Sequence, residues 1–188
     1  MPFYDGFSSS TFLTVLNAYE ASNGKYRLNV HQMSTSATTF NFNRLVARAL
    51  QSNDDYFLML HSDVGVREPD FIFKMLDAMT EHNLSVLSAA VMIKSGEGIT
   101  STAIDNREDF PRRLTLTELR KGPETLSNDV CKAMFGHPLL INTGCMIWDM
   151  KVLRAMVPNF AFEFHDGWLA KADPAGKRHL VPFFRPED

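Results

Sequence analysis

His61-Ser62-Asp63 sets an imidazole and a carboxylate two residues apart, directly after the apolar run Tyr56-Phe-Leu-Met-Leu60. On a continuing strand the two side chains project to one side, and in a turn both could converge on one cation. Such a donor pair suits a borderline divalent ion such as Mn²⁺, above all one that also bridges phosphate oxygens. Two protein ligands hold a metal weakly, so a bound diphosphate would have to complete the shell, which favours a nucleotide-linked substrate. The same spacing also describes a capped turn without metal, and the residues alone leave both readings open.

Other residues add to this constellation. Asn142-Thr143-Gly144 interrupts an apolar run from Leu139 to Trp148, and glycine inside a strand marks a bulge or a close approach of ligand or backbone. Its polar neighbours could bond a substrate hydroxyl, with a simple bulge as the alternative. His165, beside Asp166 and Gly167 and among Phe160, Phe162, Phe164 and Trp168, could be a third metal ligand or could sit in a surface turn. Lys94 could reach a phosphate or stay solvated. Arg112-Arg113 and Arg120-Lys121 could meet a polyanionic acceptor, but with Glu118 and Glu124 nearby they also read as a solvated face. No phosphate-cradling Gly-x-x-x-x-Gly-Lys motif and no Ser/His/Asp order is present.

These side chains need elements to position them. Apolar residues at helical spacing over 40–50 predict an amphipathic helix carrying Asn43 and Arg44 near its start. Tyr56 to Leu60 predicts a buried strand, and Pro69 opens a helix with Phe71, Phe73, Met75, Leu76 and Met79 on its apolar surface. Ser85 to Ile93 reads as a second strand and Leu139 to Trp148 as a third. Asp149 is placed to cap a short helix ended by Pro158. The polar stretch from Ser95 to Lys121 reads as a long loop, with a capping box at Thr115-Leu-Thr-Glu118 starting a short helix within it. Alternating helices and strands predict an α/β fold with a mostly parallel central sheet flanked by helices. In such sheets ligands sit at the carboxyl ends of the strands, where His61-Ser62-Asp63 falls.

The chain has 188 residues, 45% of them hydrophobic, enough for one domain over 1–188 with a loop and short-helix insertion around 95–137. A net charge of -3 gives no global field to hold nucleic acid. Two cysteines, no bilayer-length apolar run and no signal-peptide pattern lead to the expectation of a cytoplasmic protein with no membrane span.

In their order, these segments resemble the glycosyltransferases of the GT-A fold, family-2-like enzymes of bacterial and phage type. The family's Asp-x-Asp motif at the end of an apolar strand is similar to His61-Ser62-Asp63, with His61 where the first aspartate usually stands. Pro2-Phe-Tyr-Asp-Gly6 resembles the end of the first, nucleotide-binding strand, Asn43-Arg44 the helical element near the nucleotide, and Asn142-Thr-Gly-Cys145 the acceptor-side glycine segment. Pro186-Glu-Asp188 resembles the Glu-Asp pair that provides the catalytic base. The resemblance implies sugar transfer from a nucleotide-diphosphate donor, UDP-sugar favoured, to an unknown acceptor hydroxyl. Asp5, Asn43, Arg44, Ser62 and Asp63 would bind the donor, and Asn142, Thr143 and Gly144 would face the acceptor. Asp63, His61 and His165 would hold Mn²⁺ or Mg²⁺, and Asp188 with Glu187 would supply the base. Relative to the family the chain reads as truncated at one or both ends. The first strand is expected to be missing, leaving a sheet edge for another chain, as in a homo-oligomer. A non-catalytic nucleotide-sugar-binding protein and a nucleotidyltransferase are the alternatives.

Overall fold

In the computed structural model, which describes residues 8–32, 38–94, 97–106, 110–160, 162–163 and 179–180, the run Tyr56–Leu60 forms β1. Before it come α1 (Ser9–Ser22) and α2 (Thr38–Gln51), and after it α3 (Phe71–Glu81), β2 (Val86–Ser88), β3 (Ile99–Ile104) and β4 (Arg112–Thr115). The chain continues through α4 (Leu116–Leu119), α5 (Asn128–Phe135), β5 (Leu139–Leu140), β6 (Cys145–Asp149), α6 (Met150–Phe160) and the short antiparallel pair β7 (Phe162–Glu163) and β8 (His179–Leu180).

The main sheet has the order β1-β6-β2, and β6 runs antiparallel to both neighbours. The expectation of a mostly parallel sheet is therefore corrected. β1 and β2 do run in the same direction with α3 crossing between them, but β6 arrives from much later in the chain and lies between them, a split β-α-β arrangement. The second strand is also shorter than expected. Only Val86–Ser88 form the strand; after Ala89, whose amide still donates to the Cys145 carbonyl at 2.9 Å, the chain leaves this sheet and Met92 bridges to Thr100 of β3.

Strand alternation sorts side chains onto two helical layers. Leu58, Leu60, Cys145 and Ile147 face the core built with Ala18 of α1 and Ile72, Met75 and Met79 of α3. Phe57, Met59 and Trp148 face Val46 of α2 and Met150 and Leu153 of α6. At ~25 cal/mol per Å² of apolar surface removed from water, this two-sided burial is the main force holding the sheet.

The stretch expected to be a long loop instead contributes to a second antiparallel sheet, β4-β3-β5, which with α5 encloses Ile104, Leu114 and Cys131. The run expected to be one interrupted strand is split between the two sheets: β5 belongs to the second, β6 to the main one, and Asn142-Thr143-Gly144 is the crossing. Pro158 does not end the last helix, which runs through it to Phe160, while Asp149 Oδ1 accepts from Lys151 N at 2.7 Å near its start. No helix among the described residues is long and apolar enough to cross a membrane.

The capping box at α4 is formed as the sequence suggests, with Thr115 Oγ1 accepting from Glu118 N at 3.2 Å and Glu118 Oε2 accepting from Thr115 N at 2.8 Å. That backbone bond, with the Arg112 guanidinium at 2.7 Å, lowers the Glu118 carboxyl to about 2. Its ionised form contributes stability in full above the unfolded-state value near ~4.3, and that contribution falls away as pH drops toward about 2. Urea unfolding across this window is expected to show a smaller acid-induced loss in Glu118→Gln than in the parent protein.

Helix α1 is held by hydroxyls. Its buried positions are Thr11, Thr14, Ala18 and Ser22, whereas Phe12, Leu13, Leu16 and Tyr19 are exposed. Thr11 Oγ1 lies 2.9 Å from the Ser62 carbonyl and 2.7 Å from that of Val64, and Thr14 Oγ1 accepts from Val66 N at 2.7 Å. A Cβ on Gly65 would meet Ser10 Cβ at 2.4 Å, so only glycine allows this approach. Thr11→Val keeps the shape but removes the hydroxyl shared by the part-buried Ser62 and Val64 carbonyls, the first of which still accepts from Ser8 N, and is expected to lower unfolding free energy by about 1 kcal/mol in urea titration.

Candidate functional site

The antiparallel register opposes Leu60 to Cys145 and Ser88 to Met146, so the carboxyl ends of β1 and β2 and the amino end of β6 share one edge. His61-Ser62-Asp63 leaves β1 there, Ala89 to Lys94 leaves β2 there, and Asn142-Thr143-Gly144 enters β6 there. Residues 82 positions apart thereby meet, with His61 Nε2 at 3.1 Å from Thr143 Oγ1. The His61 amide also donates to the Gly144 carbonyl at 2.9 Å, and the imidazole stacks on Phe42 of α2, ring centroids 5.0 Å apart.

Asn142 ties the three segments together. Its Oδ1 accepts from Gly144 N at 2.8 Å, its Nδ2 donates to the Ala89 carbonyl at 2.8 Å, and its own carbonyl accepts from Ser88 Oγ at 2.7 Å. A Cβ on Gly144 would come within 2.9 Å of Asn142 Oδ1, which explains the glycine as a close approach inside the protein. Both ends of the Asn142 amide are thus engaged by backbone.

Asp63 is different in kind. Its carboxylate is exposed and receives Lys94 Nζ at 3.0 Å, a hydrogen bond that, ahead of any other influence, holds its pKa below the ordinary value. Burial lowers the His61 pKa, and the Asp63 charge only partly offsets this. The edge therefore favours the uncharged form of His61 and the ionised form of Asp63, which is paired with Lys94.

The other expected site residues divide cleanly. Asn43 and Arg44 lie on α2, next to the Phe42 that stacks on His61. Asp5, His165, Glu187 and Asp188 lie outside the described residues. Among the described residues no three His, Cys, Asp or Glu side chains converge as a metal cluster. Asp63 fits as a hard-oxygen ligand once Lys94 swings away, while His61 Nε2 would have to give up Thr143 to become a second. Substrate oxygens and water would complete the shell. Cys145 is buried and its thiol is pushed up to about 11, so it serves packing.

Two contributors carried no readable sign of their role: the Ser8-to-Thr14 face of α1, which secures the 62–66 loop, and Ser88. The run Ser8-Ser-Ser-Thr11 does carry an N-cap signature, and Ser8 Oγ accepts from Thr11 N at 3.2 Å. Comparison with family models, curated proteins and solved structures finds no match to this chain, so its chemistry rests on this geometry.

Because the fold favours neutral His61, stability is unaffected above the unfolded-state value near ~6.5 and declines as pH falls below it toward the lower folded value. Imidazole NMR titration is expected to place the His61 midpoint below that of a histidine model peptide, and Thr143→Val to shift its ring resonances.

Proposed function

We propose that this protein is a glycosyltransferase of the GT-A type, moving a sugar from a nucleotide-diphosphate donor, UDP-sugar favoured, to an acceptor hydroxyl with help from Mn²⁺ or Mg²⁺. The observation that supports it is the convergence at one strand edge of the His61-Ser62-Asp63 turn, Lys94 and the Asn142-Thr143-Gly144 crossing. In this reading Asp63 would hold the ion, with His61 and His165 as further ligands. Lys94 faces the diphosphate charge, and Asp5, Asn43, Arg44 and Ser62 bind the rest of the nucleotide. When bound, the ion neutralises charge developing on the leaving diphosphate. Thr143, with the backbone at Asn142 and Gly144, lines the acceptor side. The acceptor oxygen bonds to the anomeric carbon as that carbon's bond to the diphosphate oxygen breaks. The acceptor proton passes to Asp188, aided by Glu187, and the electron pair leaves with the nucleoside diphosphate.

One observation favours a second reading. Lys94 already sets a cation on Asp63, which suits a protein that binds nucleotide sugar without metal and without turnover. Calorimetric titration of nucleotide-diphosphate sugars, with Mn²⁺ and again with chelator, separates the two. Transfer predicts metal-dependent binding that Asp63→Ala weakens about tenfold or more, as expected for a lost charge-assisted contact. Unchanged affinity in Asp63→Ala would sink the leading proposal. Equal affinity in chelator, lost in Lys94→Ala, would establish binding alone, and diphosphate release from a nucleoside triphosphate would mark a nucleotidyltransferase.

A further inference from the structure

Asp63 and Lys94 are 31 residues apart, and each is carried by a firmly held stretch of backbone. Lys94 ends a short antiparallel ladder in which Val91 O accepts from Ser101 N at 2.8 Å and Ile93 N donates to Ile99 O at 3.1 Å, with Met92 bridging Thr100 between them. Thr100 is fully buried and its hydroxyl donates to the Leu114 carbonyl at 2.7 Å, so the second sheet anchors this ladder. On the Asp63 side, Val64 N donates to the His61 carbonyl at 3.1 Å and closes the turn. The Ser62 carbonyl accepts from Thr11 Oγ1 at 2.9 Å and from Ser8 N at 2.8 Å. Two fixed backbones thus present side chains that are 83% exposed for Lys94 and 56% exposed for Asp63, with Nζ and Oδ2 3.0 Å apart. Either side chain can turn away by rotation about its own bonds, without movement of sheet or turn.

We propose that Lys94 is a built-in counter-cation: it occupies Asp63 in the empty site, competes there with the divalent ion, and passes to the diphosphate when the donor arrives. The inference rests on the reading of Asp63 as a ligand of the ion and of the donor as a nucleotide diphosphate, and it adds a coupling between the two. An ammonium and a divalent ion repel one another across a single carboxylate, so Lys94 must leave Asp63 before that carboxylate serves as a ligand. The donor diphosphate offers Lys94 a new anionic partner beside the carboxylate it has left. Diphosphate binding thereby unmasks Asp63, and occupation of Asp63 frees Lys94 for the diphosphate. Each arrival removes an obstacle to the other, so ion and diphosphate bind with positive coupling, which by linkage is mutual. An exposed pair of this kind limits the competition to about fivefold in affinity. That is enough to favour joint entry and small enough for the donor to overcome.

Lys94→Gln in the full chain tests both halves of the exchange, because its effects on ion and diphosphate are expected to have opposite signs. Mn²⁺ alone is titrated first, with paramagnetic broadening of the Asp63 amide signal in NMR spectra reporting both the place and the affinity of binding. UDP is then titrated by calorimetry in excess Mn²⁺. Lys94→Gln is expected to raise the affinity for Mn²⁺ alone by about two- to fivefold. It is expected to lower the affinity for UDP in Mn²⁺ by about fivefold or more, through loss of a charge-assisted contact. Simple structural damage would weaken both, and Lys94→Arg, which keeps the charge, is expected to stay near the parent in both titrations. Equal or weaker Mn²⁺ binding in Lys94→Gln, or unchanged UDP affinity, overturns the proposal, while broadening at Asp63 in the parent leaves the ion-binding reading standing. An Asp63 signal untouched by Mn²⁺ in parent and variant alike sinks that reading itself, and the coupling with it.

Discussion

The candidate site depends on the insertion of β6, antiparallel, between β1 and β2. That pairing brings the ends of three chain segments to one edge and gives β6 a buried face on each side, with Cys145 and Ile147 toward α1 and α3 and Met146 also buried. Burying side chains of this size is worth about 1.5–3 kcal/mol each, more than any single polar contact at the edge contributes. The polar groups of the site are therefore positioned by apolar packing beneath them.

At that edge the polar groups fall into two kinds. Asn142, Ser88, Thr143 and the His61 backbone are engaged with one another and with the ends of the strands, so they set shape. Asp63 and Lys94 are mostly solvent-exposed, and an exposed pair of this sort contributes at most about 1 kcal/mol, so each can exchange its partner for a substrate or an ion at little expense. A fixed frame carrying one loosely paired acid and base is a physically sensible way to receive a diphosphate. It is also the arrangement from which the proposed transfer is argued.

Helix α1 shows the same economy on the other side of the loop. Threonine hydroxyls and the missing side chain of Gly65 let the helix approach the 62–66 backbone closely, while larger apolar residues of the helix stay outside. Through Ala18 the helix also lines a cavity beside β1.

Much of this was legible in the sequence wherever the signal is local. The strand Tyr56–Leu60, the helix around Phe42 to Leu50, the helix after Pro69 and the Thr115–Glu118 capping box all follow from side-chain period or capping chemistry within a few residues. So did the position of His61 and Asp63 at a strand's end. Helix α1 shows only its Ser8 cap in the sequence, because a face of Thr, Ala and Ser has no hydrophobic period to detect. The direction of the sheet is not legible locally, for a different reason. Helix-strand alternation suggests parallel neighbours, yet pairing is chosen by whichever strand best fills the space between two faces, and β6 follows β2 by more than fifty residues. The contact of His61 with Thr143 and the pairing of Asp63 with Lys94 likewise join groups distant in sequence. Residue types determined what chemistry is available here, and only tertiary packing decided which of those residues meet.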